Sequence, residues 1–210
     1  MRQSAGILVS RAALVLGLTA CVAAAQAQVF TSTLSGPAEF PANTSTATGN
    51  TRVTVDASAH TLRVEATFSG LSTNTSAAHI HCCVSPSAVP STSGVATTTP
   101  SFVGFPLGVQ AGSMDQTYSL LNAGSFSPAF VAANGGTAAG AEAAFIAGIR
   151  SGQAYLNIHT AMFPGGEIRG FLFAAPLGIP VPTLTQGLLG VLALLLAGGG
   201  LIAWRRRQRA

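Results

Sequence analysis

Apolar and polar residues alternate in the central part of this chain, and this two-residue period is the feature that most limits its fold. Residues 51–55 and 62–68 each place Val, Leu or Phe on one side and Thr, Arg or Glu on the other. Successive side chains of a β-strand point to opposite faces, so the pattern is typical of half-buried strands. The short segment 56–60 between them predicts a hairpin connection.

Further segments have the same strand-like character. They lie at 77–81, 154–159 and 167–173. The last two are joined through Pro164-Gly165-Gly166, which is a turn sequence. The chain is therefore expected to contain several short strands separated by turns.

One segment interrupts this pattern. Residues 138–150 are rich in Ala, and Ala141, Phe145 and Ile149 recur at four-residue intervals. This spacing places them on one face of a short helix that packs against the sheet. The whole pattern predicts a mainly β, single β-sandwich-like domain over residues 28–175, of the immunoglobulin or superoxide dismutase type, with one short helix.

The first 27 residues have the layout of a secretory signal peptide. Two early arginines supply positive charge, residues 12–20 are apolar, and Ala25-Gln26-Ala27 is a small-x-small cleavage site. The apolar part is too short to cross a bilayer. An alternative stays open, because residues 18–21 resemble a bacterial lipobox in which Cys21 would be lipidated.

The other end of the chain predicts a membrane anchor. Residues 184–204 are almost wholly apolar and uncharged, and residues 205–210 contain four arginines. At the helical rise of ~1.5 Å per residue, the apolar segment is long enough to span a bilayer core. The arginine-rich tail should remain cytoplasmic, which places the domain on the far side of the inner membrane.

The charge distribution excludes a nucleic-acid-binding protein. The chain has a pI near 9.6, but six of its ten basic residues lie in the two terminal segments. The domain holds four arginines, all six acidic residues and no lysine, so it is mildly acidic. Phosphate backbones are bound by clustered Lys and Arg, and the domain has no such cluster.

The histidines are distributed unevenly. Three of the four fall in two short motifs, His79-x-His81 and Asn157-x-His159. Alternate residues of a strand share one face about 6.5 Å apart, so His79 and His81 could hold one metal ion. With His159 as a third nitrogen ligand and Glu167 as an oxygen ligand, the set suits Cu or Zn. The alternative is that these imidazoles only hydrogen-bond to backbone groups.

Cys82 and Cys83 follow His81 directly. Removal of Cys21 with the signal peptide would leave this even pair in an oxidising compartment. They could form a vicinal disulfide, which we favour, bond to another chain, or serve as soft metal ligands. A purely structural role is not expected, because so small a loop gains little stability from a cross-link.

Known catalytic signatures are absent from the sequence. It has no G-x-S-x-G, H-E-x-x-H or P-loop motif. Glu167 and Arg169 share one strand face, an arrangement usually explained as a surface ion pair. We therefore expect a protein that is not an enzyme and has no catalytic or cofactor-binding residue. A hydrolase built on Glu167 and a histidine is the weaker alternative.

Four segments of the sequence, taken in order, resemble the CHRD domain, a module common in bacterial secreted proteins. They lie at 34–41, 78–81, 154–160 and 164–170, and together span about residues 29–173. Cys82-Cys83 departs from the glycine that is more usual after the H-x-H motif. The resemblance implies an extracellular β-sandwich-type module without an established reaction.

The C-terminal segment resembles the IPTL-CTERM class of sorting tails, relatives of PEP-CTERM. Pro182-Thr183-Leu184 precedes the hydrophobic helix and the arginine cluster, although Val181 stands where the class has Ile. The resemblance implies a linker and sorting motif at 176–183. It also implies a Gram-negative source and two processing partners, signal peptidase and a C-terminal sorting protease or transpeptidase.

Two functional hypotheses follow. The first is a non-enzymatic binding or structural module that is exported, anchored in the inner membrane with its domain in the periplasm, and sorted to the outer envelope or released. The second is a Cu- or Zn-binding or redox protein that uses His79, His81 and His159.

Overall fold

The structure is a computed structural model that describes residues 27–84 and 91–176, together with residue 208. The chain divides into two units, residues 1–174 and 175–210. Within the described ranges, no helix has the length and apolar character needed to cross a membrane. The predicted signal peptide (up to residue 26), the lipobox, the sorting motif from residue 177 onward and the anchor lie outside the described residues.

Eight strands and two helices make up the described part of the first unit. The strands are β1 (Gln28–Ser35), β2 (Thr48–Asp56), β3 (Thr61–Ser69), β4 (Thr75–His81), β5 (Gly112–Ser119), β6 (Tyr155–Thr160), β7 (Ile168–Phe171) and β8 (Phe173–Ala174). The helices are α1 (Pro128–Ala133) and α2 (Ala138–Arg150).

All eight strands belong to one antiparallel sheet. Its order is β4-β6-β7-β1-β2-β3-β5, and β8 pairs with β1. The sheet curls so that its two ends approach each other: the amide of Leu71, ahead of β4, and that of Thr75, the first residue of β4, donate to the carbonyls of Gln110 and Val109 ahead of β5. The prediction of a mainly β domain is confirmed. The sequence pattern predicted two packed sheets. The described strands instead form a single continuous sheet, because β1 hydrogen-bonds to β2 along one edge and to β7 and β8 along its other edge.

The predicted helix is present with the predicted bounds. In α2 the Thr137 hydroxyl accepts from the Gly140 amide at the N-terminus, and Ala141, Phe145 and Ile149 are buried. Such an N-cap satisfies a donor that the helix itself leaves free. The expectation of only one helix is wrong, because α1 precedes it. At six residues, α1 is too short to show a helical period.

The two faces of β4 and β6 have different chemistry. Ala78, Ile80, Leu156 and Ile158 point into the hydrophobic core, which also contains Phe145. The alternate residues on these strands point to the opposite face. We call this opposite face of β4, β6 and β7 the histidine face; it carries His79, His81, Tyr155, Asn157, His159 and Arg169. It is also buried, because loops cover it.

Candidate metal centre

The three motif histidines meet on the histidine face. His79 and His81 lie two residues apart on β4, and His159 lies on β6, directly opposite Ala77. The ring centroid of His79 is 4.7 Å from that of His81 and 4.5 Å from that of His159. One ring nitrogen from each histidine lies within 4.8 Å of the other two. We call these three residues the histidine cluster.

Each imidazole of the cluster has its Nδ1 atom against a backbone carbonyl. His79 pairs with Pro100 at 3.3 Å, His81 with Ser93 at 2.7 Å, and His159 with Pro164 at 2.9 Å. A carbonyl oxygen can only accept, so every Nδ1 carries the proton and donates it. In the neutral ring, Nε2 then has a free lone pair.

The three Nε2 atoms have no partner among the described residues. Each is buried and makes no hydrogen bond. A buried acceptor without a donor is costly, and three in one place form an unusual concentration. The cluster therefore presents three converging lone pairs.

Burial keeps these imidazoles neutral. It lowers the pKa of His79 from 6.5 to about 3, and the neighbouring His159 and His81 rings add to the effect. Burial likewise lowers the pKa of His81 to about 4, and it lowers that of His159 despite the opposing hydrogen bond to Pro164. Neutral imidazole is the form that binds metal ions.

The cover of the cluster comes from the segment 91–101. The Ala96 amide donates to the Ile80 carbonyl, and the Ile80 amide donates to Thr97 Oγ1, which ties this segment to the edge strand β4. The carbonyls of Ser93 and Pro100 are thereby held over the rings. These partners could not be predicted from the sequence, because every residue has a backbone carbonyl and its residue type does not show which one meets a histidine.

Tyr155 and Arg169 complete the histidine face. The Tyr155 ring stacks on His81 with centroids 4.7 Å apart, and its hydroxyl accepts from the Ser93 amide. The Arg169 guanidinium lies 4.8 Å from the centre of the Tyr155 ring and donates to the carbonyls of Ala38 and Ser91. Both side chains fix the surroundings of His81 without contributing a ligand atom.

Glu167 and Arg169 do not form the surface ion pair expected from sequence. Both are buried, at 0% and 1% exposure. The Glu167 carboxylate accepts from the hydroxyls of Ser45, Ser72 and Thr160 instead. Burial acts to raise the pKa of Glu167, but these hydrogen bonds outweigh it and hold the pKa below its usual range. Glu167 thus hydrogen-bonds to these hydroxyls and is not part of the histidine cluster.

A second buried carboxylate, Glu39, lies near Arg169. Its Oε2 is 3.9 Å from Arg169 Nε, while its Oε1 and the Oδ1 atom of Asn157 have no hydrogen-bond partner in the described part of the chain. Burial raises the pKa of Glu39 to about 7, against the opposing effect of Arg169. A Cβ at Gly166 would lie 2.7 Å from Glu39 Oε1 and 2.6 Å from Asn157 Oδ1, so only glycine fits there.

A family model supplies the decisive comparison. The model of the CHRD domain matches residues 30–172. The chain belongs to the CHRD family. No curated protein and no solved structure matches it significantly. The histidine cluster, Glu39, Tyr155 and Arg169 all lie inside the CHRD match.

Cys82 and Cys83 of this CHRD domain are joined to each other. Their sulfurs lie against α2, where a Cβ on Gly148 would overlap both of them. Cys82 is part of the hydrophobic core, whereas His81 points to the histidine face. The disulfide thus packs against the helix and stands apart from the imidazoles.

The CHRD histidine cluster has the chemistry of a ligand set. Three neutral nitrogen donors face one point, their protonated nitrogens are fixed by backbone carbonyls, and aromatic and charged neighbours surround them. Metal-binding histidines commonly have their second nitrogen fixed by a backbone carbonyl in this way. His60 lies elsewhere, beside Glu142 at 2.9 Å.

Proposed function

We propose that this CHRD protein is an exported, non-enzymatic binding module that holds one transition-metal ion, Cu or Zn, through His79, His81 and His159. The observation that carries the proposal is a group of three histidines whose ring nitrogens lie within 4.8 Å of one another and whose Nε2 atoms are buried and, among the described residues, unpartnered. Imidazole nitrogen suits both metals. Binding would satisfy all three acceptors at once, whereas a purely structural cluster would leave them unpaired.

The arrangement of second nitrogens supports metal binding over simple hydrogen bonding. If these histidines served only to bond backbone groups, one nitrogen each would suffice and the other could face solvent. Instead all three Nε2 nitrogens are buried and have no partner among the described residues. Such pre-orientation is what the residues around a metal ligand provide.

The non-enzymatic part of the proposal is supported by the sequence, which contains none of the common hydrolase or nucleotide-binding motifs. Export is supported by the signal-like residues 1–27. Anchoring in the inner membrane, with the domain in the periplasm, is supported by the apolar segment 184–204 and its arginine-rich tail. Signal peptidase and a sorting protease or transpeptidase would then be its processing partners, with transit to the outer envelope or release as the outcome.

Metal titration of the full chain in mild detergent tests the proposal. We expect one Cu or Zn ion per chain, and a loss of affinity greater than about 100-fold in His81→Ala, because removing a ligand should cost more than removing its supporting neighbours. His60→Ala is the matched control, since this histidine lies outside the cluster. Equal binding by His81→Ala and His60→Ala would overturn the assignment.

A further inference from the structure

The ligand set of the histidine cluster is composed entirely of uncharged nitrogen donors. Among the described residues, no carboxylate or thiolate joins the three imidazoles. The segment 85–90 cannot supply one either, since it contains only Ser, Pro, Ala and Val. The neighbouring cysteines are tied to each other and packed against α2. A bound metal ion would therefore keep its whole charge.

Among the described residues, the ligand set itself supplies no negative charge to compensate for the ion. In the described part of the chain, the histidine face carries Arg169, and the Glu39 carboxylate lies 3.9 Å from its Nε atom, so these two opposite charges largely cancel. Glu167 is held as a carboxylate by three hydroxyl donors and lies outside the ligand set. The cost of burying an ion grows with the square of its charge, so a dication costs about four times as much as a monocation here.

Access to the cluster also limits the coordination number. Each Nε2 atom is buried and has no hydrogen-bond partner among the described residues. A four-coordinate Zn²⁺ site with three histidines needs a water or substrate as its fourth ligand. A three-coordinate ion needs none. With metal–nitrogen bonds of about 2 Å, trigonal ligands are about 3.5 Å apart, and the ring nitrogens already lie within 4.8 Å of one another, so the rings need to close by at most about 1 Å.

We infer that the cluster binds Cu(I) in preference to Zn(II), as a three-coordinate ion held by His79, His81 and His159 alone. This inference rests on the proposed metal-binding function and narrows it to a soft monocation. Three neutral donors in a buried centre, with no anion in the ligand set, favour the lower charge and the lower coordination number.

The test compares the two metals on the same protein. The full chain in mild detergent competes with bicinchoninate for Cu(I), under anaerobic conditions with ascorbate, and separately with a chromogenic indicator for Zn(II). A variant with all three cysteines changed to Ser excludes thiol binding, and His60→Ala is again the control. X-ray absorption of the Cu(I) form reports the ligands directly.

We expect one Cu(I) per chain with three nitrogen neighbours, unchanged by the cysteine substitutions and weakened about 100-fold or more by His81→Ala. Zn(II) should bind at least about 100-fold more weakly than Cu(I). Zn(II) binding as tightly as Cu(I) through the same histidines would overturn this inference and leave the proposed function intact. Binding of neither metal would overturn both.

Discussion

The His81 ring lies parallel to the Tyr155 ring, with centroids 4.7 Å apart and planes inclined by 5°. The two residues are register partners on β4 and β6, so the stack is a consequence of strand alignment. The Ser93 segment holds both rings, because its carbonyl accepts from His81 Nδ1 and its amide donates to the Tyr155 hydroxyl. Stacking and hydrogen bonding therefore fix His81 together.

Tyr155→Leu should lower metal affinity about 10-fold, because losing a residue that orients a ligand histidine lowers metal affinity by roughly 10- to 100-fold. Tyr155→Phe keeps the stacked ring and loses only the hydroxyl, so it should retain most of the affinity. Competitive metal titration of both variants gives the comparison. If the Leu and Phe variants bind equally well, the stack does not position His81.

The histidine cluster should resist protonation in the metal-free protein. Burial lowers the pKa of His79 to about 3 and of His81 to about 4, so both rings should stay neutral from pH 8 to pH 5. NMR titration of the imidazole resonances measures this directly. A midpoint near the ordinary 6.5 for these rings would contradict the buried, backbone-bonded arrangement.

Glu39 should make the protein less stable as pH rises. Its pKa is about 7 in the folded chain and near 4.5 when unfolded, so between these values the folded state binds more protons and stability falls with increasing pH. Glu39→Gln should remove this loss, leaving the variant more stable than the parent at pH 8 by about 1 to 3 kcal/mol. Denaturant unfolding at pH 5 and pH 8 measures the difference. Identical pH profiles for the two proteins would show that Glu39 ionises normally.

Gly148→Ala should destabilise the protein by about 1 to 3 kcal/mol, because the added methyl would overlap both disulfide sulfurs. Alanine ordinarily stabilises a helix relative to glycine. The expected change in protein stability therefore has the opposite sign to the usual one. Gly94→Ala is the control, since nothing lies within 4 Å of its added carbon. Thermal unfolding of both variants provides the measurement. A stabilised Gly148→Ala, or alkylation of Cys82 and Cys83 without prior reduction, would contradict the packed disulfide.

Much of the fold follows from side-chain periodicity. The hairpin of β2 and β3 and the helix α2 have clear two-residue and four-residue patterns, because each buries one face. β5 could not be recognised, since it is an edge strand whose side chains are mostly exposed. α1 was too short to show a period.

The candidate site was predictable only in part. Alternation along a strand brings His79 and His81 together, but the approach of His159 depends on the register of β4 with β6, which pairs Ala77 with His159. Glu39 and Arg169 meet only through tertiary structure. Their burial could not be inferred from residue type, because charged side chains are mostly exposed.

Metal content is the measurement that tests the central claim most directly. The chain should be isolated from its own envelope without added metal and analysed by elemental mass spectrometry, beside His81→Ala and His60→Ala. We predict one transition-metal ion per chain in the parent and in His60→Ala, and almost none in His81→Ala. A parent protein without stoichiometric transition metal, or equal metal in all three, would contradict a metal centre at His79, His81 and His159.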